Sequence, residues 1–264
     1  FDYQIAITHG SSDAFNFANA VKGKVDLIVV YGGDGTVMQV ARALFKSETP
    51  LAIIAGGTAN VMAKEFKIPL DPPEALDIIK SGKWVFKRID MGVVNKKPFL
   101  IRINLGIMAD MVLDADRELK KSLGQLAYGV TTVKTIANAS PINIDMIIDG
   151  TFVSEASVSL TITNTGNIGW EGFSFLPGID VADGKLDVIL LNEVSLINLV
   201  KITGTTLLQT DSEVLKHWSC KKMSLKTPEK IRCIIDDESY EADELQIEVV
   251  PSALKVLIPY VAEV

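Results

Sequence analysis

An apolar run over residues 25–31 leads without interruption into Tyr31-Gly32-Gly33-Asp34-Gly35-Thr36, and a helical pattern follows over 36–45. The arrangement recurs where the apolar run at 51–55 meets Ala55-Gly56-Gly57-Thr58-Ala59-Asn60. Short apolar runs alternating with helical ones make strands buried on both faces, which requires a parallel sheet covered by helices. The chain is therefore read as α/β, with two neighbouring strands that each end in a glycine-rich loop. Open sheets of this kind bind ligands in the crevice at the carboxyl ends of their strands.

The same reading places a strand over 3–8 and helices over 13–22, 58–66 and 71–80, the last with Asp71 as cap and Pro72 and Pro73 in its first turn. After residue 87 the texture changes to many strands joined by turn chemistry such as Asp149-Gly150, which predicts a largely antiparallel second domain. Strands are expected over 88–95, 99–105, 142–149, 152–165, 186–191, 230–236, 245–250 and 253–259, interrupted by helical intervals over 124–139 and 195–210. The division falls between 1–88 and 89–264, with the last residues returning to the first unit. Charge divides at the same place: residues 1–88 carry 10 Lys and Arg against 9 Asp and Glu, while residues 89–264 carry 16 against 24.

A net charge of −7 argues against broad attraction to nucleic acid or to anionic lipid, since either needs a basic face. Any lipid contact must be local, and Lys216, His217, Lys221, Lys222 and Lys226 beside Trp218 form the candidate basic rim. Two cysteines, Cys220 and Cys233, make neither a disulfide framework nor a zinc site, which fits a reduced cytoplasmic setting. No apolar run approaches the roughly 20 residues of a membrane-spanning helix. No signal peptide is visible, and the opening at Phe1 reads as the interior of a longer chain.

The loop at 32–36 carries the chemistry. Its glycines permit positive φ and close approach, the following helix presents free amides, and the helix dipole favours an anion, so a phosphate is the natural guest. Asp34 would repel a bare phosphate and points to Mg²⁺ nearby. Neither the dinucleotide fingerprint nor a P-loop is present, because the third glycine and the Gly-Lys-Ser/Thr are missing. Far downstream, Asp236 and Glu238 lie two apart at an expected hairpin tip, where one carboxylate could accept a proton from an attacking hydroxyl. Asp180, Asp183 and Asp187 around Gly184 form either a site for a hard cation or a plain Asp-Gly turn.

These residues together resemble the diacylglycerol kinase catalytic family in its soluble bacterial lipid-kinase branch, within the NAD kinase-like superfamily. The resemblance rests on Gly32-Gly33-Asp34-Gly35-Thr36, Gly57-Thr58-Ala59-Asn60, Arg88-Ile89-Asp90-Met91-Gly92, residues 121–128, the turn at 183–184 and the acidic tip at 236–238. It implies an amino-terminal nucleotide-binding α/β domain, a carboxy-terminal β-sandwich domain, and transfer of the γ-phosphate of ATP to a lipid hydroxyl with Mg²⁺. By position, Thr8, Gly32, Gly33, Asp34, Gly35, Thr36, Gly57, Thr58 and Asn60 resemble nucleotide-binding residues. Glu238 resembles the general base and Asp236 its catalytic partner. Asp180, Asp183 and Lys185 resemble a structural magnesium site, and Asp34 and Asp90 an acidic network around the catalytic magnesium.

The family's first strand and its nucleotide loop have no counterpart in the chain as it begins here. Val61 stands where an aspartate often follows the second loop, and Asp237 where glycine is usual. The resemblance also implies a lipid substrate met by peripheral contact with a membrane surface. The residues leave open whether the chain pairs with a second copy as a homodimer. Two rivals remain at this stage: an NAD kinase, and a catalytically silent nucleotide- or lipid-sensing protein.

Overall fold

The computed structural model describes residues 2–106, 109, 141–167, 178–191 and 215–260. The amino-terminal part runs α1 (Asp13–Val21), β1 (Ile28–Gly32), α2 (Asp34–Ala43), β2 (Leu51–Ala55), α3 (Val61–Glu65) and α4 (Pro72–Ser81). It continues through β3 (Trp84–Val94), β4 (Lys97–Phe99), β5 (Arg102–Gly106), β6 (Ile142–Ile148), β7 (Thr151–Ser157) and β8 (Ser159–Thr163). The last strands are β9 (Leu186–Leu191), β10 (Leu215–Cys220), β11 (Lys222–Ile235) and β12 (Glu238–Pro259). The sequence motif at 121–128 and the helices expected over 124–139 and 195–210 lie outside the described residues.

β1 and β2 pair in parallel from Ile28↔Leu51 to Gly32↔Ala55, so both glycine-rich loops leave the sheet side by side. The five residues of β2 are all buried, as a strand covered on both faces must be. β12 joins β2 in parallel at Val256↔Leu51, and the sheet then continues through β11, β5, β8, β9 and β10. From β12 onward the pairings are antiparallel, which gives a mixed sheet with a carboxy-terminal antiparallel sandwich region.

Local chemistry explains several boundaries. Asp71 accepts the amide of Glu74 at 3.3 Å and Pro72 opens α4, which ends on Gly82 at φ 70°. Asp149 and Gly150 take φ values of 46° and 87°, the paired left-handed residues of a two-residue hairpin between β6 and β7.

Two apolar cores sit on this sheet. One gathers α1 to α4, β1, β2, Ile89, Met91 and the end of β12 through Ala253, Leu254 and Val256. The other gathers β5, β6, β8, β9 and β11 with Leu245 and Ile247 of the same β12. β12 thus contributes to both, as does β3 through Ile89 and Met91 on one side and Val94 on the other.

The strand expected over 3–8 does not form. Its alternating Tyr3, Ile5 and Ile7 remain 76%, 77% and 68% exposed, because no described strand pairs with them and alternation without a sheet partner cannot bury a face. Among the described residues no helix is long and apolar enough to cross a membrane.

Candidate active site

The two glycine-rich loops touch through their backbones. Gly56 donates its amide to the Gly32 carbonyl at 2.9 Å, and a methyl group on Gly57 would lie 2.6 Å from the α-carbon of Gly33. The glycines are therefore required by close approach. None of Gly32, Gly33, Gly35, Gly56 or Gly57 takes a positive φ, which corrects the first reason for expecting them. Gly33 caps α2 in an extended conformation, so the first-turn amides of that helix open at the loop, as a phosphate site requires.

Asn60 sits in the left-handed region at φ 49°. Its side chain accepts from the Gly57 amide and donates to the Gly57 carbonyl, each at 2.9 Å, closing the second loop on itself. Thr36 lies in the first turn of α2, its amide bonded to the Gly33 carbonyl at 3.0 Å. Thr58 and Thr8 are exposed, and Thr8 belongs to the unpaired segment before α1.

The acidic tip meets the first loop. Asp237 lies so close that a methyl group on Gly35 would fall 2.6 Å from its Oδ2. On one side of it, Asp236 at φ 56° is fully buried and fixed by three backbone amides: Leu100 at 3.0 Å, Ile101 at 2.8 Å and Arg102 at 3.2 Å. Burial raises the pKa of this carboxyl, while those amides and the charge of Arg42 oppose the rise. On the other side, Glu238 is 43% exposed and held by three donors. Arg42 of α2 bonds its Oε1, and Lys97 of β4 and Tyr240 of β12 bond its Oε2. Burial would raise the Glu238 pKa, yet the hydrogen bonds from Lys97 and Arg42 bring it below the ordinary glutamate value.

A second buried cation completes the electrostatics. Burial lowers the Arg102 guanidinium to about 10, with Asp236, Asp34 and Glu65 opposing, so it stays charged at neutral pH. Asp34 is itself raised by burial, against hydrogen bonds from the amides of Val61, Met62 and Asn60 at the start of α3.

The two carboxylates expected around a catalytic magnesium are each bonded to backbone amides. Asp34 faces the α3 amides, and Asp90, 2% exposed, accepts from the amides of Gly184 at 2.6 Å and Ser252 at 2.8 Å. Asp90 is thus a tie between the 180s turn and β12, not a free ligand. Asp180 and Asp183 stay with Lys185 in one turn, where the Asp180 carboxylate accepts from the Ala182 amide and the Asp183 Oδ1 from the Lys185 amide, each at 3.0 Å. Among the described residues no three His, Cys, Asp or Glu side chains are grouped to hold a metal ion.

The basic rim is also partly neutralised. Lys216 pairs with Glu155 at 2.6 Å, and His217 with the buried Asp187 at 2.7 Å. Arg42, Lys97, Tyr240, Arg102 and Glu65 escaped the sequence reading. α2 also carries Asp34, Thr36 and Gln39, so nothing local singles out Arg42.

Residues 1–94 match the family model described as the diacylglycerol kinase catalytic domain, and residues 102–258 the YegS C-terminal NAD kinase beta sandwich-like domain. A protein of Bacillus subtilis named diacylglycerol kinase is 27% identical over 241 residues, covering 88% of this chain and 78% of that protein. An uncharacterized Synechocystis protein is 28% identical over 88% of this chain, which spans only 54% of that protein's length. A Bacillus anthracis crystal structure described as "a putative diacylglycerol kinase" superposes with a TM-score of 0.81 at 27% identity, covering 95% of this chain and 82% of that one.

Proposed function

This chain belongs to the diacylglycerol kinase catalytic-domain family, and from that premise we propose that it transfers the γ-phosphate of ATP to the hydroxyl of a diacylglycerol-like lipid. The observation that carries the reading is the meeting of the 32–36 loop with the 236–238 tip, through Gly35 against Asp237 and through Arg42 to Asp236 and Glu238. Phosphoryl transfer asks a protein mainly to position its reactants and neutralise charge.

The amides of the loop and of the α2 amino terminus hold the ATP phosphates. Glu238 accepts the proton of the lipid hydroxyl, whose oxygen forms the new bond to phosphorus as the bond to the bridging oxygen breaks and ADP leaves. Lys97, at the half-exposed side of the tip, offsets negative charge where the phosphoryl group moves. Mg²⁺, when bound with ATP, would neutralise charge on its phosphates. The lipid is met at a membrane surface by peripheral contact, in the cytoplasm.

Incubation of the full-length protein with γ-labelled ATP and either a total lipid extract or NAD tests the acceptor. Label in a lipid and none in NAD is the predicted outcome. Label in NAD alone would replace the proposal with an NAD kinase, and ATP binding without transfer to any acceptor would make the protein a sensor.

A further inference from the structure

We propose that Arg42 is a positioning residue of this site, a guanidinium that holds Glu238 aimed and ionised from the helix that begins at the glycine-rich loop. The inference rests on the phosphotransfer reading above and assigns a role that the sequence did not reveal. Arg42 lies on α2, its side chain only 7% exposed. One terminal nitrogen, Nη2, reaches Asp236 Oδ2 at 3.4 Å, and the other, Nη1, bonds Glu238 Oε1.

The two contacts are unequal. Asp236 is fully buried and already bonded by the amides of Leu100, Ile101 and Arg102, so it does not depend on Arg42 for its place. Glu238 is 43% exposed at the end of a strand, and only side chains are seen to restrain its carboxylate. Asp236 therefore acts as the fixed post and Glu238 as the group being held. A forked donor can span both, whereas a lysine ammonium offers a single point.

The charged and titratable groups around Glu238 come from three elements and its own turn. Arg42 approaches from α2, Lys97 from β4, Tyr240 from β12, and Asp236 and Asp237 flank it in the turn. With Lys97 and Tyr240 on Oε2, removal of Arg42 frees Oε1 and leaves one cation opposing the effect of burial.

The test compares Arg42→Gln, Arg42→Lys and Glu238→Gln in the full-length protein, by steady-state phosphate transfer to lipid micelles across pH. Arg42→Gln should lower kcat by about 30-fold, less than the roughly 10²–10⁴-fold that a general base itself contributes, with KM for ATP within about twofold of wild type. Its acid limb in kcat/KM should move up by about one pH unit, because the glutamate loses a cation and becomes easier to protonate. Arg42→Lys should keep the limb in place and still lose about tenfold in kcat, since charge is retained and the fork is lost.

A purely structural role would lower activity only with the folded fraction and leave the pH limb where it was, and that result overturns the proposal. Should Arg42→Gln fail to fold, Arg42→Lys decides: wild-type kcat in that variant refutes the aiming role. Glu238→Gln separates the two readings. If it is inactive while both Arg42 variants behave as wild type, only the Arg42 assignment fails. If Glu238→Gln itself retains full activity, the base assignment fails first.

Discussion

Asp236 and Glu238 lie two residues apart, yet one side chain is fully buried and the other is 43% exposed, so the same carboxyl group meets opposite surroundings. Asp236→Asn would put an NH₂ where an oxygen now accepts N–H donors. The predicted loss is about 2–3 kcal/mol in urea unfolding, measured against wild type at neutral pH.

Glu238 makes a pH-dependent contribution whose sign follows from its depressed pKa. Its ion pairs stabilise the fold above the unfolded glutamate value of about 4.3 and are lost as pH falls through the lower folded value. The stability gap between wild type and Glu238→Gln should thus be constant above about pH 5 and shrink on further acidification. A gap that widens in acid would contradict the pairing seen here.

What was legible at this scale was the local chemistry: the Asp149-Gly150 turn, the Asp71 cap and the acidic pair. Arg42 was not, because its partners stand 194 and 196 positions away and no local pattern announces so distant a contact.

Among the elements, the strand–loop–helix units at β1 and β2 were readable because apolar runs and glycines mark both ends. The reason for the glycines was not, since it lies in the packing of one loop on the other. That packing makes a sharp prediction. Gly57→Ala would place a methyl group 2.6 Å from the Gly33 α-carbon and must part the loops. A cost of about 1–3 kcal/mol and a clear loss of ATP affinity are expected, read by thermal melting and by nucleotide titration. Unchanged nucleotide affinity in a folded Gly57→Ala protein would show that the loops do not act as a unit.

Other elements misled. The alternation at Tyr3, Ile5 and Ile7 satisfied a strand pattern, but a strand exists only by pairing. β12 was read as two short strands because its first residues alternate with acids and Pro251 interrupts it. The structure carries the strand through that point with a register shift between Val250 and Leu254.

For the molecule as a whole, the sequence already returned its last residues to the first unit, but not on one continuous strand that serves both cores. Leu254 lies in the amino-terminal core and Leu245 in the carboxy-terminal one, on one continuous strand. The two cores should therefore unfold together. Leu254→Ala and Leu245→Ala are each expected to cost about 2–5 kcal/mol and to shift a single transition. Two separated transitions, with each substitution moving only one, would show that β12 does not couple them.

The same continuity aligns the acidic tip, where β12 begins, with loops that the chain makes some two hundred residues earlier. On that alignment the whole functional account stands. Its most direct test is phosphate transfer by Glu238→Gln, with ATP binding measured on the same sample. The account predicts wild-type ATP affinity with transfer to lipid reduced by about 10²-fold or more, and transfer at the wild-type rate would contradict it.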